Sequence, residues 1–542
     1  MRKIFFPLLT IFLIAFSGII QANQTVYGSK RDSNHVLLVY DSQNTVEQGE
    51  KKIDSLQRML AGIGLKVTTI KENEYQKGEL SHGYQGVITM INWEQTQLVN
   101  PGFIKDRDQY DGIKLHIGEG LDTTEQQQLQ VKLKTIYQQQ LILKDGNSTE
   151  MIPFVDRMDV LTGIPKEAQR YGELKTQDKD QQSYAYGIIN RNQGYLPFFN
   201  NTGLGLITAG KMIATLFDRQ QETKPLLTIA NVTPYSNLKM LDELSSYCEN
   251  LGVPFAVSTT TVAKNTEMDA YKRFTRSLRR IEDRGGVIFL QAPVIGGATV
   301  NNASELSELF DNYLLNLAQN QVYPVGISAQ GFWDQDQVLR NNALKKANYW
   351  MLFPNKKVVY LKQDNQGETS SRSYLTLAAS GFNKIKNQED VRFAMPIALT
   401  FNMPDSKVRL KNLKEQIHAL NFTWQNPAED FDSKIDVASS LIAYQNGQYL
   451  VNGKVTEVKT VAEEKSLPKP VGTPALFKEF FKVQGRIITV FFAIIFFSVS
   501  HFYCVRKKNI QKHVQEIGGE SNHNFRFFPN GCNYCHLGNA DN

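Results

Sequence analysis

Strand-like and helix-like segments alternate between residues 224 and 452, and this alternation restricts the possible folds more than any other feature. Each short apolar run there precedes a stretch in which apolar residues recur at helical spacing. Strands separated by helices in this way predict a parallel α/β sheet that is closed, or nearly closed, as a barrel. Functional residues are then expected at the carboxyl ends of the strands. The predicted strands are 226–230, 255–258, 287–290, 322–327 and 396–401, and the predicted helices after the first three are 236–251, 268–283 and 303–318.

The region before the barrel divides into two parts. Residues 34–140 predict a small flavodoxin-like α/β domain, because apolar strands alternate with a segment of helical spacing. This domain has no glycine-rich loop that would bind phosphate, and Tyr40-Asp41-Ser42 is interpreted as an ordinary strand end. Residues 141–223 contain short strand-like pieces broken by Gly and Asn, and they predict a strand-rich connecting region. The predicted elements of the first part are strands at 35–40, 66–70 and 86–91 and a helix at 51–63.

Two apolar runs near the chain ends predict export and membrane anchoring. Residues 1–22 combine a charged start, an apolar run and the small residue Ala22, which is typical of a signal peptide; an uncleaved signal anchor is the alternative. Residues 487–505 are long enough to cross a hydrocarbon core of ~30 Å as a transmembrane helix, with a buried core helix as the alternative. Residues 453–486 are then a linker, and residues 506–542 are a cytoplasmic tail. We therefore predict a single-pass cell-membrane protein with an extracellular ectodomain.

Charge and cysteine content exclude some classes of protein. The chain has 60 basic and 54 acidic residues, a net charge of +6, and this nearly balanced, dispersed charge does not indicate a nucleic-acid partner. Of the four cysteines, only Cys248 lies in the predicted ectodomain, so no disulfide framework is expected there.

The tail carries a short cysteine motif. Its sequence Cys532-Asn-Tyr-Cys535-His536 has the spelling of a c-type haem attachment site, but the predicted cytoplasmic location argues against haem. The motif together with His523 could instead bind zinc, and an unstructured tail is the third reading. We predict no cofactor.

Several phrases in the barrel region resemble the polysaccharide-deacetylase-like family of bacterial surface proteins. They are Ile229-Ala-Asn-Val-Thr-Pro234, Gly252-Val-Pro-Phe-Ala-Val257 and Arg284-Gly-Gly-Val-Ile-Phe-Leu290. The resemblance implies a distorted (β/α) barrel that, in active members, binds a divalent metal and removes acetyl groups from carbohydrate. It also implies a setting beside a membrane glycosyltransferase or synthase complex that makes exopolysaccharide.

The positions that bind the metal in active relatives are degenerate here. The resemblance implies an aspartate at the end of the first strand and a His-x-x-x-His motif at the end of the third, whereas this chain has Asn231, Gln291 and Ile295. Amides and an aliphatic side chain do not supply the charge and nitrogen donors that a transition metal prefers. The metal-generated hydroxide that would attack the acetyl group is therefore not expected. We predict a pseudoenzyme.

Polar and aromatic residues near the predicted strand ends are candidates for carbohydrate binding. Sugar sites use ring faces for packing and polar groups for hydrogen bonds. For the aromatic residues, packing in the core or in loops is the alternative, and for Asp334 a solvated loop position is the alternative. The candidates are Tyr235, Gln291, Phe332, Trp333 and Asp334.

Three functions remain open from the sequence. The first is a non-catalytic deacetylase-like protein that binds extracellular polysaccharide or assists its synthesis or export. The second is an active carbohydrate-ester deacetylase whose metal ligands are not recognised in the sequence. The third is a general surface adhesion or interaction protein.

Overall fold

A computed structural model describes residues 34–41, 49–93, 98–177, 182–293, 295, 299–356 and 364–456. The predicted signal peptide at 1–22, transmembrane helix at 487–505 and cytoplasmic tail at 506–542 lie outside these residues, as does nearly all of the predicted linker. Within the described ranges, the structure contains no helix with the length and apolar character that a membrane span requires.

The amino-terminal part of the described chain alternates strands and helices and then becomes strand-rich. Its strands are β1 (His35–Tyr40), β2 (Lys66–Lys71), β3 (Gly86–Ile91), β4 (Ile113–Gly118), β5 (Lys132–Gln139), β6 (Leu141–Asp145), β7 (Ser148–Met151), β8 (Val155–Thr162), β9 (Gln169–Thr176), β10 (Ser183–Asn190) and β11 (Gln193–Leu196). Its helices are α1 (Gly49–Gly62), α2 (Pro101–Gln109), α3 (Thr123–Leu129) and α4 (Gly203–Leu216). The predicted strands at 35–40 and 86–91 are confirmed.

The carboxyl-terminal part contains the predicted alternation. Its strands are β12 (Leu226–Val232), β13 (Phe255–Thr259), β14 (Val287–Gln291), β15 (Gly326–Gln330), β16 (Tyr349–Phe353), β17 (Gln366–Gly367), β18 (Arg372–Ala378), β19 (Ile385–Lys386), β20 (Ile397–Asn402), β21 (Asp432–Val437), β22 (Ser440–Gln445), β23 (Gln448–Val451) and β24 (Lys454–Thr456). Its helices are α5 (Leu238–Asn250), α6 (Asp269–Asp283), α7 (Ala303–Gln319), α8 (Phe332–Gln335), α9 (Gln337–Asn342), α10 (Lys407–Ala419) and α11 (Pro427–Asp430).

Seven parallel strands close into a barrel in the order β12-β13-β14-β15-β16-β18-β20. This confirms the predicted α/β architecture with a closed parallel barrel. Strands β16 and β18 were not predicted, because no α-helix follows either of them among the described residues. The strand predicted at 322–327 begins only at Gly326, since Pro324 has no backbone N–H to donate to a ladder.

One mixed sheet of eleven strands runs through both amino-terminal regions that the sequence analysis separated. Its order is β17-β2-β1-β3-β4-β11-β10-β9-β6-β7-β19, and β4 pairs with β11 to join residues 34–140 to residues 141–223. The two outermost strands, β17 and β19, belong to connections of the barrel. Each edge of the sheet is therefore covered over part of its length by a two-residue strand.

Helices of the amino-terminal part cover one side of the barrel. The connections β16–β18 and β18–β20 supply no α-helix among the described residues, so the outer faces of β18 and β20 need another cover. Met59 of α1 and Ile207 of α4 pack there against Leu375, Leu377 and Ile397. The eleven-stranded sheet and the barrel therefore share one hydrophobic core on this side.

Aromatic side chains close the amino-terminal end of the barrel. Phe289 and Tyr374 point inward from β14 and β18, and both rings contact Phe431, which precedes β21. Phe431 also packs on Tyr349, the first residue of β16, with ring centroids 5.0 Å apart. Strands β21–β24 form a separate four-stranded sheet, and its last strand extends past residue 453, where the linker was predicted to begin.

Candidate functional site

Two serine hydroxyls identify the inward face of the barrel strands. Ser258 on β13 and Ser328 on β15 have their Oγ atoms 2.8 Å apart, although β14 lies between these strands. Such a contact requires the concave side of the sheet. Side chains alternate along each strand and register partners share a face, so the rest of the inward set follows from the register. Arg372, Tyr349 and Tyr374 also face inward, at the amino-terminal end of the barrel. The other polar members, which we call the inward polar set, are Thr228, Ser258, Gln291, Ser328, Gln330, Thr376, Thr400 and Asn402.

The inward polar set consists of amides and hydroxyls and carries no formal charge. The hydroxyl of Ser258 also lies 3.4 Å from Gln291 Oε1. Gln330 Oε1 is buried and has no hydrogen-bond partner among the described residues. A buried polar oxygen without a partner costs free energy, so a ligand that donated a hydrogen bond to it would recover part of that cost.

A bulge in β12 brings Asn231 to the mouth of the barrel. The register with β13 shifts between Ile229 and Val232, and Asn231 takes a left-handed backbone conformation with φ of 60°. Its Nδ2 donates to Asn402 Oδ1 at 2.6 Å. A bulge re-aims a side chain, and here it pairs two exposed amides across neighbouring strands.

The three degenerate positions do not form a metal site. Asn231 pairs with Asn402, Gln291 ends β14 and points inward, and Ile295 packs partly buried against the barrel core. Across the described ranges there is no group of three or more His, Cys, Asp or Glu side chains that could hold a metal ion. The donors present are neutral amides and hydroxyls, which do not fit the transition metal that the resemblance implies.

Two of the three aromatic candidates for carbohydrate binding are buried. Trp333 is 1% exposed and Phe332 is 2% exposed, because both belong to the short helix α8, which is buried. The Trp333 ring packs on Phe310 of α7 with centroids 5.8 Å apart. These two candidates are structural in this conformation. Tyr235 is 89% exposed in the segment after β12, so its ring is available.

Asp334 is buried and does not occupy a solvated loop position. It is 1% exposed, and its Oδ1 accepts a hydrogen bond from the backbone N–H of Glu368 at 3.1 Å. Burial raises the pKa of Asp334 to about 7. The Asp334 carboxyl group therefore binds the backbone of the segment that contains β17, in which Gly367 lies close to this carboxyl group.

The segments after four adjacent strands each expose one large apolar side chain. The strands are β20, β12, β13 and β14, which are neighbours in the barrel. Exposed apolar side chains can cover the apolar face of a bound molecule. These residues, which we call the apolar rim, are Val408, Tyr235, Met268 and Val300.

A buried ion pair of α1 supports the carboxyl-terminal ends of β16 and β18. Arg58 Nε lies 3.0 Å from Asp54 Oδ2, and the guanidinium donates to the carbonyls of Leu352 at 3.4 Å and Thr376 at 3.3 Å. Both side chains are almost fully buried. The amino-terminal part thus fixes two of the strand ends that surround the inward polar set.

Ser258, Ser328, Gln330 and Asn402 were missed by the sequence analysis. A usable signal was present, since each is a polar residue at an inward position of an otherwise apolar strand, as in Phe-Ala-Val-Ser-Thr of β13 and Gly-Ile-Ser-Ala-Gln of β15. That the two serines meet depends on barrel closure.

Fold and site together define an α/β protein with a closed parallel barrel whose inward face carries uncharged polar groups beyond its amino-terminal end. No protein-family model and no curated protein matches the chain. Among solved structures, it is similar to a glycoside hydrolase family 30 subfamily 8 xylanase from Clostridium acetobutylicum, with a TM-score of 0.17 and 11% identity over 20% of this chain and 32% of that chain. The match spans about a third of the xylanase, and a likeness of this extent indicates neither fold nor substrate.

Proposed function

We propose that the protein binds a neutral extracellular polysaccharide at the barrel mouth and does not hydrolyse it. The observation that carries this proposal is the inward set of amides and hydroxyls, in which Gln330 Oε1 is buried without a partner among the described residues. Sugar hydroxyls both donate and accept hydrogen bonds, as amide and hydroxyl side chains do. A set without formal charge suits a neutral sugar better than a phosphate or carboxylate, which arginine and lysine side chains recognise.

The apolar rim supports the same ligand class. Tyr235 is the most exposed of its four members, and it follows Asn231 by four residues in the segment after β12. An aromatic ring packs on the apolar face of a sugar while the amides take its hydroxyls. An open site of this kind is expected to bind with millimolar to micromolar affinity, roughly 4 to 8 kcal/mol.

In this proposal the barrel is of the deacetylase type but is a pseudoenzyme. The amides at Asn231 and Gln291 and the partly buried Ile295 support the loss of metal-dependent hydrolysis, because none of them is a suitable ligand for the metal. Release of acetate from an acetylated glycan that stops on addition of a chelator would instead favour the active deacetylase.

The proposed location is the outer face of the cell membrane. The sequence pattern supports a signal peptide at 1–22, an anchor at 487–505 and a cytoplasmic tail at 506–542. In that arrangement the barrel lies beside the membrane glycosyltransferase or synthase complex that makes the polysaccharide. A reporter fused after Asn542 should be active only in the cytoplasm, and activity outside the cell would overturn the arrangement.

The test is Gln330→Leu in the full-length protein, measured on an array of neutral and anionic glycans. Leucine is similar in size to glutamine and removes a buried oxygen that has no partner among the described residues, so the melting temperature should not fall. Binding of neutral glycans should weaken about fivefold, which corresponds to one lost hydrogen bond of about 1 kcal/mol.

The matched control is Gln319→Leu. Gln319 is the exposed last residue of α7, which leads back to the start of β15, so it lies away from the strand ends. Its substitution should leave glycan binding unchanged. Equal binding by wild type and Gln330→Leu, or binding confined to anionic glycans, would contradict the proposed site.

A further inference from the structure

A cleft on the outside of β20 is separate from the barrel mouth. It has a volume of about 250 Å³ and lies between the connection 379–389 and the carboxyl-terminal end of α10. Phe401 of β20 lines it, and Phe401 points outward because its neighbours Thr400 and Asn402 point into the barrel. A ligand in this cleft therefore does not touch the inward polar set.

One wall of the cleft is held in place by the eleven-stranded sheet. Strand β19 pairs with β7, where Ile385 is opposite Glu150. Asn387 Nδ2 donates to the carbonyl of Asn147 at 2.9 Å, and the hydroxyl of Ser148 donates to the carbonyl of Asn387 at 2.9 Å. The wall is thus fixed before any ligand arrives, which lowers the entropy that binding must overcome.

The cleft combines an apolar floor with amide side chains at its edge. Ala379, Ile385 and Phe401 are buried and form the floor. No lysine or arginine lines the cleft, and Glu389 is its one acidic residue, so it offers no charge partner to an anion. Three amide side chains line the cleft and make no side-chain hydrogen bond within the described ranges. They are Asn383, Gln416 and Asn421.

We propose that this cleft is a second binding site, which takes one neutral sugar unit. An apolar floor suits the face of a pyranose ring, and free amides match hydroxyl groups because both donate and accept. The volume is below the ~300–1,000 Å³ of pockets for drug-sized ligands, so the cleft holds a single unit and not a chain segment.

The proposal of this second site depends on the proposed function only for the class of ligand, a neutral sugar. Two weak sites on one protein bind a long polymer more tightly than either site binds a short fragment, because the second contact is intramolecular. The protein should therefore retain long neutral polysaccharide better than its tetrasaccharide fragments.

The test is Ala419→Trp in the full-length protein, with His418→Trp as its matched control. Both residues are exposed and adjacent at the end of α10, but only Ala419 lines the cleft. The new indole should fill the cleft and weaken binding of arrayed neutral oligosaccharides at least tenfold in the Gln330→Leu background, where the mouth contributes less. His418→Trp should bind as its parent does.

The outcomes separate the cleft from the mouth. Loss of binding in Ala419→Trp but not in His418→Trp supports the cleft. If Ala419→Trp abolishes binding even with Gln330 intact, the cleft is supported and the mouth alone does not hold the glycan. Unchanged binding in Ala419→Trp overturns the cleft as a binding site but does not contradict the site at the mouth. Equal loss of binding in Ala419→Trp and His418→Trp also overturns the cleft. A wild-type protein that binds no neutral glycan overturns both sites.

A second variant tests the cleft if Ala419→Trp does not fold. The double substitution Gln416→Ala and Asn421→Ala removes two exposed amides that make no side-chain hydrogen bond to another described residue, so the melting temperature should be unchanged. Binding that stays at the parental level in this variant overturns the cleft.

Discussion

Position 326 of the barrel leaves no room for a side chain. A Cβ atom there would lie 2.5 Å from Cε1 of Phe289 and 2.7 Å from the carbonyl oxygen of Tyr349. Gly326 and Phe289 are register partners on neighbouring strands, and both face the barrel interior. The absence of a side chain on β15 is therefore what allows the Phe289 ring to fill the amino-terminal part of the barrel.

Gly326→Ala should destabilise the protein by about 1–3 kcal/mol, the usual cost of forcing an extra methyl group into a packed core. The measurement is the urea midpoint of unfolding. Gly62→Ala is the control, because a Cβ at position 62 would meet its nearest neighbour at an ordinary 3.5 Å. An equal effect of the two substitutions would show that position 326 is less tightly packed than the structure indicates.

Helix α6 carries a buried acid into the contact between the barrel and the carboxyl-terminal sheet. Glu282 accepts a hydrogen bond from the backbone N–H of Tyr323 at 2.8 Å. Burial raises its pKa to about 8, and the nearby Arg279 only partly opposes this. Burial raises the pKa values of Tyr444 of β22 and Tyr449 of β23, and the Glu282 charge raises them further. The helix and the sheet therefore meet around a carboxyl group that is neutral at neutral pH.

Glu282 should make stability fall as the pH rises from about 4.5 to about 8. In this window the folded protein holds a proton that the unfolded chain, with an ordinary value of 4.5, has released. The unfolding free energy therefore decreases with pH, by at most about 1.4 kcal/mol per pH unit, and the full contribution remains below pH 4.5.

To isolate the contribution of Glu282, the unfolding free energies of wild type and Glu282→Gln are measured in urea between pH 5 and pH 9. The variant keeps a neutral side chain of the same shape at every pH. It should match wild type near pH 5 and be more stable than wild type near pH 9. Parallel stability curves for the two proteins would exclude a protonated Glu282.

At the scale of the whole molecule, the barrel depends on the amino-terminal part. Helices α1 and α4 cover the outer faces of β18 and β20, and β17 and β19 of the barrel complete the eleven-stranded sheet. The Asp54–Arg58 pair lies within this contact. The two parts therefore stabilise each other through this shared contact.

Arg58→Met should cost about 3–5 kcal/mol, because it leaves the buried Asp54 without its charge partner. The double variant Arg58→Met and Asp54→Leu should be more stable than the single one, since no charge is then buried. Arg409→Met is the control: it breaks an exposed Asp–Arg pair of the same spacing and should cost less than about 1 kcal/mol. Melting temperatures of the variants decide between these outcomes, and equal losses at Arg58 and Arg409 would contradict the buried role.

Local periodicity alone indicated a parallel α/β sheet that is closed or nearly closed as a barrel. Strands β12, β13 and β14 were predicted because each is followed by a helix with its own apolar face, which is a pattern of near neighbours in sequence. The same pattern placed Asn231 and Gln291 at strand ends. The sequence alone was therefore sufficient to predict which residues lie at the ends of these strands.

Features that depend on contacts between residues far apart in the sequence were decided only by the tertiary structure. Within the described ranges no α-helix follows β16 or β18, and α1, about 300 residues earlier, packs on that side instead. The burial of Trp333 and Asp334 follows from their contacts with Phe310 and the segment at Gly367. Ser258 and Ser328 meet because the sheet closes. Side-chain burial and contacts across a closed sheet depend on packing between distant segments, which a local pattern does not encode.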